Sequence, residues 1–302
     1  MNPFIRIRET LDYEVLLPAC AHLPEPFATA LTHLRARAML AAERDWRHHV
    51  GDIGTGIRRR QALEEINAYR APSPPIPLST VYRAWAEDEL DTARLISGDL
   101  PRRIVCPTLP AEQTIWITAH FGASINGATF VHATGRVTDA LASDIVLSPK
   151  LPPAIKRFYA RKYRALEAAF RGGRVLYYER HLKRLYRRVR QGNDLIVVTD
   201  LPSATEEASI CVPLFGKKRR FAIGAAKLAA AAGIALQPYV ILPDGPFRKV
   251  VLGPRIRGRR PKDFLPAYVF LADHIERRPQ CWWALDLLPL MPTLTKTSRR
   301  TQ

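Results

Sequence analysis

The chain has 302 residues, of which 47% are apolar, and its formal net charge of +18 gives a pI near 10.2. The apolar fraction excludes a globally disordered chain, and the charge favours anionic partners such as nucleic acid, acidic lipid, coenzyme phosphates or an acidic carrier protein. The four cysteines, at positions 20, 106, 211 and 281, form no CxxC pair and no zinc-type cluster with histidine. We therefore expect reduced thiols in a cytoplasmic protein, with no metal site, no redox cofactor and no disulfide framework.

The first hundred residues are predicted to form an N-terminal helical region. Residues 9–70 repeat apolar positions every three or four residues, and a second helix is expected over 80–97. Between them, residues 71–78 contain four prolines and form a joint that cannot lie inside a helix. The start of the chain lacks the apolar segment of a signal peptide, and no run approaches about 18 apolar residues, so no transmembrane helix is expected.

From about residue 103 the pattern changes to apolar strand-like runs that alternate with helical ones. The predicted strands are 114–119, 144–147, 174–177, 194–199, 235–242 and 248–252. The predicted helices are 122–133, 153–171, 180–191, 221–232 and 262–277. This alternation is typical of an α/β fold in which helices flank a mixed sheet on both faces. We expect that domain to cover 101–290 and a polar tail to cover 291–302.

His120 is the first candidate catalytic residue. The run Thr114 to Ala119 is apolar and rich in β-formers, and it ends on His120, Phe121 and Gly122. An imidazole at the carboxyl end of a buried strand lies where α/β enzymes place their chemistry, although a lone histidine is often structural. No carboxylate follows within the next turn of chain to orient the ring.

A dense basic block occupies residues 156–190. It contains thirteen lysines and arginines, among them Arg174, against two glutamates, and five tyrosines lie among them. Solvated helix faces usually mix charges of both signs, so this block favours a nucleic acid, an anionic membrane or another acidic partner.

Three further segments are candidates for the site. Asp200 ends the apolar run 195–199 and is either a site carboxylate or a turn residue. Residues 212–220 run from an apolar turn containing Phe215 and Gly216 into Lys217 and three more cations, which suits either a phosphate or membrane contact or a surface hairpin. The segment Pro279 to Trp283, with its paired tryptophans, suits either a membrane interface or packing on the core.

Taken in order, these segments resemble the lysophospholipid acyltransferase superfamily, specifically the lipid A biosynthesis (lauroyl/myristoyl) acyltransferase branch. The resemblance covers about residues 100–285. It depends on Ala119 to Gly122 with Gly127 and Ala128, on 195–200, on 212–216 followed by 224–229 and 233–239, and on 279–283.

The resemblance implies transfer of an acyl chain from an acyl carrier protein or coenzyme A thioester to a hydroxyl or amine of a lipid or glycolipid, at the cytoplasmic face of the membrane. It implies that His120 is the general base on the acceptor, as in a serine-hydrolase triad whose hydroxyl belongs to the substrate. The family's pattern places an acidic residue five positions after the histidine, where this chain has Ile125. The family also often has an arginine where Ser148 falls, with Lys150 as a possible replacement, and its N-terminal membrane helix is not evident here.

The missing acid leaves three alternatives. Another carboxylate (Asp200, Asp144 or Asp139) reaches His120 through the fold, or Ser124 or Asn126 orients it weakly, or catalysis is lost and the protein binds acyl chains, a carrier protein or a partner enzyme. We expect Phe121, Gly122, Lys150, Arg174, Phe215, Gly216 and Lys217 to contact substrate, with the Gly122 turn amides or Lys150 stabilising the oxyanion. The leading prediction is a peripheral acyltransferase on the inner face of the cell membrane. Nucleic-acid binding is the weakest alternative, because no nucleic-acid-binding motif accompanies the cations.

Overall fold

The N-terminal region is helical, as predicted. The computed structural model describes residues 3–42, 55–149, 151–203 and 205–293. Positions 43–54 of the predicted helical region 9–70 and the tail from residue 294 therefore lie outside the described residues. The helices are α1 (Pro3–Leu11), a π-helical turn (Asp12–Leu16), α2 (Leu17–His22), α3 (Glu25–Ala42), α4 (Thr55–Arg70), α5 (Leu78–Ile96) and the short α6 (Leu100–Arg103). The proline-rich joint separates α4 from α5, as the sequence predicts. The division into 1–100, 101–290 and 291–302 stays a prediction.

A mixed β-sheet forms the centre of the protein. Its strands are β1 (Ile104–Val105), β2 (Thr114–Thr118), β3 (Thr138–Ala142), β4 (Val175–Tyr177), β5 (Asp194–Val198), β8 (Ala235–Asp244) and β9 (Phe247–Leu252). In the described residues their order is β1-β9-β8-β2-β5-β3-β4, and neighbours are parallel except for the β8–β9 hairpin. A separate hairpin joins β6 (Ser209–Leu214) to β7 (Lys217–Ala222). The predicted α/β fold with a mixed sheet is confirmed.

Helices cover both faces of this sheet. The later helices are α7 (Pro153–Ala169), α8 (Tyr178–Arg190), α9 (Gly224–Ala232) and α10 (Leu265–Arg277). Side chains of α4, α8, α9 and α10 pack with Leu195 and Val197 of β5, whereas α7 packs on the other face with Ile196 and Trp116. Because successive strand residues point to opposite faces, the apolar run of β5 contributes to both cores.

Three predicted elements differ from the structure. The predicted strand 144–147 is wrong, because Ile145–Leu147 is a 3₁₀ turn and the strand lies earlier, at β3. The predicted helix 122–133 is a tight turn followed by a 3₁₀ helix, Asn126–Thr134. Strand β7 extends to Ala222, so the helix predicted from residue 221 begins at Gly224.

The strand order creates a crevice between the carboxyl ends of β2 and β5. After β2 the chain continues to β3, on one side of the pair in the sheet. After β5 it continues through the hairpin and α9 to β8, on the other side. The two connections run over opposite faces of the sheet, because Ala128 packs with Ile196 on one face and Ala225 packs with Val197 on the other. In open α/β sheets, a crevice where ligands bind lies between adjacent strands whose connections leave on opposite faces.

Candidate active site

His120 and Asp200 lie on opposite sides of this crevice. Thr118 and Val198, the last residues of β2 and β5, pair in parallel register. One residue further, the Thr199 N–H donates to the Thr118 carbonyl at 2.9 Å, which keeps the two chains together as they leave the sheet. The residues that follow, His120 and Asp200, are 80 positions apart in sequence and adjacent in space.

Asp200 orients the His120 ring. The His120 Nδ1 lies 2.8 Å from Asp200 Oδ1, while Oδ2 accepts hydrogen bonds from the His120 backbone N–H at 2.9 Å and from Trp282 Nε1 at 2.6 Å. The carboxylate is fully buried. Burial alone would raise the pKa of Asp200, but the charge of His120 and these hydrogen bonds outweigh burial and lower it below its usual value.

The tautomer of the neutral ring follows from the ionisation of its partner. An ionised carboxylate only accepts hydrogen bonds, so Nδ1 carries the proton of the neutral imidazole. Nε2 is then the basic nitrogen, and it makes no hydrogen bond with any described residue. A neutral imidazole held in this tautomer by a buried carboxylate has the arrangement of a general base.

The turn after His120 is fixed by the segment that ends in Trp283. The Gly122 N–H donates to the Cys281 carbonyl at 2.8 Å, and the Trp283 N–H donates to the His120 carbonyl at 3.1 Å. The Trp283 ring meets the His120 ring edge-on at a centroid distance of 4.7 Å. Position 122 requires glycine, because its φ is +52° and a Cβ would lie 2.5 Å from the Ile241 carbonyl oxygen.

The other predicted orienting groups do not reach the ring. Ser124 Oγ donates to the Phe121 carbonyl at 2.5 Å and accepts from the Ile241 N–H, so it fixes the turn rather than the imidazole. Asn126 donates to Asp88 at 2.9 Å.

The two alternative carboxylates are also committed elsewhere. Asp139 accepts from Arg188 and Asn193, and Asp144 pairs with Arg180. Asp200 is therefore the carboxylate that the described structure brings to His120.

A large apolar cavity opens beside His120. Its volume is about 830 Å³, within the range of about 300–1,000 Å³ that is common for ligand pockets. It extends along both faces of the sheet, since its walls include Leu141, Leu185, Leu195, Val197 and Leu228 on the α8–α9 side and Ala140, Tyr163, Leu166 and Ile196 on the α7 side. Ile125 and Ser148, the two positions that depart from the family pattern, also line it.

Most of the predicted substrate contacts lie away from this cavity. Among the described residues that line it, neither Phe121 nor Gly122 is found, and the Gly122 amide predicted to stabilise an oxyanion is occupied by the Cys281 carbonyl. Arg174 is exposed, pairs with Glu167 and is likewise not a lining residue. Lys150 lies outside the described residues.

The segment 212–220 is a hairpin, one of the two alternatives that the sequence allows. Phe215 and Gly216 both have positive φ and form its two-residue turn, with the Phe215 side chain buried against Tyr69. Lys217 pairs with Glu65 at 2.7 Å. These contacts are structural, and none of the three residues lines the cavity.

The basic block is divided by the fold. Arg157, Arg180 and Arg188 pair with acidic residues, and Lys162 is buried in the cavity wall. Four cations on the exposed side of α8 make no ion pair with any described residue: Lys183, Arg184, Arg187 and Arg190. They flank Leu182 and Tyr186, which are each 49% exposed and line the cavity.

Sequence reasoning missed two features of the site. Trp282 is fully buried, which agrees with the core-packing alternative for 279–283, but the sequence does not predict its hydrogen bond to Asp200. In the sequence, Lys162 is one cation of the basic block. Its helical spacing from neighbouring apolar residues nevertheless indicates that it faces inward. It falls in the buried stripe of α7 with Ile155, Phe158 and Leu166.

A histidine oriented by a buried aspartate at the crevice of an α/β sheet, beside an apolar cavity, is an arrangement that suits general-base catalysis. Residues 163–277 match the family model of the bacterial lipid A biosynthesis acyltransferases. This match agrees with the resemblance that the sequence motifs indicate and supports acyltransferase activity in general. The matched range contains Asp200 and begins after His120. None of the curated proteins matches the chain.

Proposed function

We propose that the protein transfers a fatty acyl group from an acyl thioester to a hydroxyl or amine of a lipid or glycolipid. The observation that carries the proposal is the 2.8 Å contact between His120 Nδ1 and Asp200 Oδ1 at the wall of a large apolar cavity. The family match over 163–277 supports the same chemistry.

The proposed reaction uses the ring nitrogen that the protein leaves unbonded. Nε2 of His120 takes the proton of the acceptor hydroxyl as its oxygen attacks the thioester carbonyl carbon. Asp200 stabilises the imidazolium that forms. When the carbon–sulfur bond breaks, the thiolate takes this proton from His120, so the enzyme returns to its initial state.

The cavity is the proposed site of the acyl chain. Its walls on both faces of the sheet are aliphatic and aromatic, and His120 lies where these two sides meet at the ends of β2 and β5. Burial of a long alkyl chain contributes about 0.8 kcal/mol per methylene, enough to retain a single-chain substrate.

The charge beside the cavity suits an anionic donor. Lys183, Arg184, Arg187 and Arg190 lie on α8 beside Leu182 and Tyr186. A carrier-protein or coenzyme A thioester has negative charge next to its acyl chain, and this surface would attract either donor at low salt.

The N-terminal helices are proposed to contact the membrane that contains the acceptor. Ile7, Leu11 and Val15 form one exposed apolar stripe, and Phe27, Leu31 and Leu34 form a second on α3. A groove lined by Leu11, Leu16, Leu31 and Leu34 lies between them. The exposed apolar side chains on these helices suit an interfacial contact. No helix in the described ranges is long and apolar enough to cross a bilayer.

Flotation with phosphatidylglycerol-rich vesicles tests this contact. The double variant Leu11→Glu/Leu34→Glu should bind the vesicles at least about tenfold more weakly, because two apolar side chains are lost from the interface. Phe247→Glu, which changes an exposed apolar residue on the β8–β9 hairpin, is the control. Equal loss in both variants, or no loss in the double variant, would contradict the proposed surface.

Transfer assays with His120→Ala test the chemistry. Purified protein is supplied with acyl-carrier-protein and acyl-CoA donors and with lysolipid, glycerol and sugar-lipid acceptors. Wild type and His132→Ala, which changes an exposed histidine, should transfer with at least one pair, and His120→Ala should lose about 10²–10⁴-fold. Equal transfer by His120→Ala would refute the mechanism.

The alternative is a catalytically impaired homologue that binds acyl chains, a carrier protein or a partner enzyme. Its motivation is Ile125, which lies in the cavity wall where the family has an acid. The Asp200 contact argues against it, because a carboxylate from β5 supplies the function that Ile125 lacks. Tight acyl binding without turnover in the same assays would favour this alternative.

A further inference from the structure

A second polar cluster lies in the wall of the same cavity. It consists of Lys162 on α7, Asp88 on α5 and Asn126 in the 3₁₀ helix after the His120 turn. All three are buried, and Lys162, only 5% exposed, lines the cavity. Asp88 lies near enough to both Lys162 and His120 for their charges to act on its carboxylate.

Two polar groups in this cluster are left without a hydrogen bond. Asn126 Nδ2 donates to the Asp88 carbonyl at 3.0 Å and to Asp88 Oδ1 at 2.9 Å, but the buried Asn126 Oδ1 has no partner. Among the described residues, Lys162 Nζ makes no hydrogen bond and no ion pair, and it lies 5.7 Å from the centroid of the Tyr159 ring. Burial lowers the pKa of Lys162, opposed by the charge of Asp88.

A buried ammonium without a hydrogen-bond partner is costly unless something pairs with it. The Lys162 side chain lines a cavity whose wall is mostly apolar, and Ile125, Ala128 and Leu166 are among the other lining residues. With a single cation here, the position suits one oxygen atom that bears a full or developing negative charge. A phosphate dianion would need more donors.

Two donors of the turn after His120 are already engaged. The amide of Gly122 donates to Cys281, and Ser124 Oγ is bonded to Phe121 and Ile241. A cation in the cavity wall can supply the donor for the negative charge that develops on a carbonyl oxygen under attack.

We propose that Lys162 binds the carbonyl oxygen of the acyl group in the cavity and stabilises the negative charge that forms on it during transfer. The inference rests on the proposed acyl transfer. As the acceptor oxygen bonds to the carbonyl carbon and its proton moves to His120 Nε2, the π electron pair moves onto the oxygen held by Lys162. The pair returns to carbon as the carbon–sulfur bond breaks and the thiolate takes the proton. Asp88 is a positioning residue, and its charge, when the carboxyl is ionised, favours the protonated ammonium.

Kinetics of Lys162→Met test the catalytic role. The variant should lower kcat by about 10²–10³-fold with a smaller change in the donor KM, because an oxyanion donor acts mainly in the transition state. Lys162→Arg should restore part of kcat, and Lys156→Met, on the same helix outside the cavity, should match wild type. A Lys162→Met enzyme that melts like wild type and keeps its kcat would overturn the proposal.

Equilibrium binding gives a readout that does not depend on turnover. Wild type should bind laurate more tightly than lauryl alcohol by roughly tenfold to hundredfold, since the acid offers Lys162 a charged oxygen. Lys162→Met should lose this preference, and Lys156→Met should keep it. Equal binding of acid and alcohol by wild type would overturn the anion site without any variant.

The two measurements separate this inference from the proposed function. A Lys162-dependent preference for laurate in a protein that transfers no acyl group would support the anion site and count against the transferase. Transfer that depends on His120 but not on Lys162, with no preference for laurate, would support the transferase and overturn the anion site.

Discussion

Two polar clusters face the same cavity, and they differ in how completely the protein satisfies them. Asp200 receives hydrogen bonds on both carboxylate oxygens from His120 and Trp282. In the other cluster, Asn126 Oδ1 has no partner and Lys162 Nζ makes no hydrogen bond or ion pair with the described residues. A satisfied network is rigid before substrate arrives, whereas an open one is completed by what binds.

The difference follows from the elements that build each cluster. His120 and Asp200 leave adjacent parallel strands whose register fixes the distance between them. Lys162, Asp88 and Asn126 come from three helical segments that pack around the cavity, and their only mutual hydrogen bonds run from Asn126 to Asp88. We therefore expect changes at Asp200 to remove preorganised chemistry and changes at Lys162 or Asp88 to alter charge and binding.

The largest expected effect comes from Asp200→Asn. An amide at this position leaves the ring in place but removes the charge that fixes the tautomer and stabilises the imidazolium, so kcat should fall by about 10⁴-fold. Steady-state transfer assays measure the loss. Asp144→Asn changes another carboxylate at the cavity and should lose much less. A comparable loss in both variants would mean that Asp200 has no special role.

Asp88→Asn should change how stability depends on pH. Burial raises the pKa of Asp88 from 3.8 to about 7, although the charge of Lys162 opposes the rise. The folded state therefore retains a proton that the unfolded state has lost between these values, and wild type should become less stable as the pH rises from about 4 to about 7. The variant should remove part of this pH dependence. The contribution of Asp88 to the free energy of unfolding is no more than about 4 kcal/mol.

Denaturant unfolding at several pH values measures this slope. Asp273→Asn, on the exposed side of α10, should keep the slope of wild type. If the slope is the same in Asp88→Asn and wild type, Asp88 is not held neutral in the fold, and the contrast between the two clusters weakens.

Trp282→Phe removes one donor from the satisfied cluster while it keeps an aromatic ring. Loss of a hydrogen bond to a buried charge costs about 1.5–3 kcal/mol, so kcat should fall roughly tenfold to hundredfold as Asp200 becomes less well held. Trp116→Phe is a matched control, because Trp116 Nε1 also donates to a buried carboxylate, that of Asp194 at the opposite end of β5. It should lose stability without a comparable loss of kcat.

The smallest expected effect concerns Ile125→Glu. With Asp200 already bonded to the ring, a second carboxylate in the apolar wall should give no gain, and Ile125→Gln should behave similarly. Transfer rates of the two variants decide the point. A gain in Ile125→Glu of more than about tenfold, 1.4 kcal/mol, would mean that the site has decayed from the family's pattern and is repaired by the acid.

The sequence predicts the strands of this fold best where they are long and apolar. The runs 114–119 and 194–199 differ from β2 and β5 by one residue each, because fully buried parallel strands are continuous apolar segments. Strand β3 has the sequence TDALA, whose alanines favour strands weakly, and it becomes a strand because β4 and β5 pair with it on both sides.

The site is predictable in its parts but not in its arrangement. His120 and Asp200 are each recognisable at the end of an apolar run. Their contact depends on the order of the strands, which no local pattern specifies. Ser124 and Asn126 are nearer to His120 in sequence, yet the turn directs them to the backbone and to Asp88.

Charge is the property that sequence reasoning describes least well here. The block 156–190 has the composition of a uniform basic surface. The fold pairs several of its cations with acids and buries Lys162. The remaining ones on α8 lie beside the cavity. The position of Lys162 in the helical repeat of α7 indicates that its side chain faces inward. Only the three-dimensional structure shows that it has no hydrogen-bond partner among the described residues.

The most direct test of the central claim is the tautomer of His120, measured from the ¹⁵N shifts of the imidazole near pH 8 and assigned by comparison with His120→Ala. The account predicts a neutral ring with its proton on Nδ1, donated to Asp200, and with Nε2 unprotonated. In Asp200→Asn this preference should weaken. A proton on Nε2 in the wild-type protein would contradict the account, because the nitrogen that faces the cavity could not then take a proton from an acceptor.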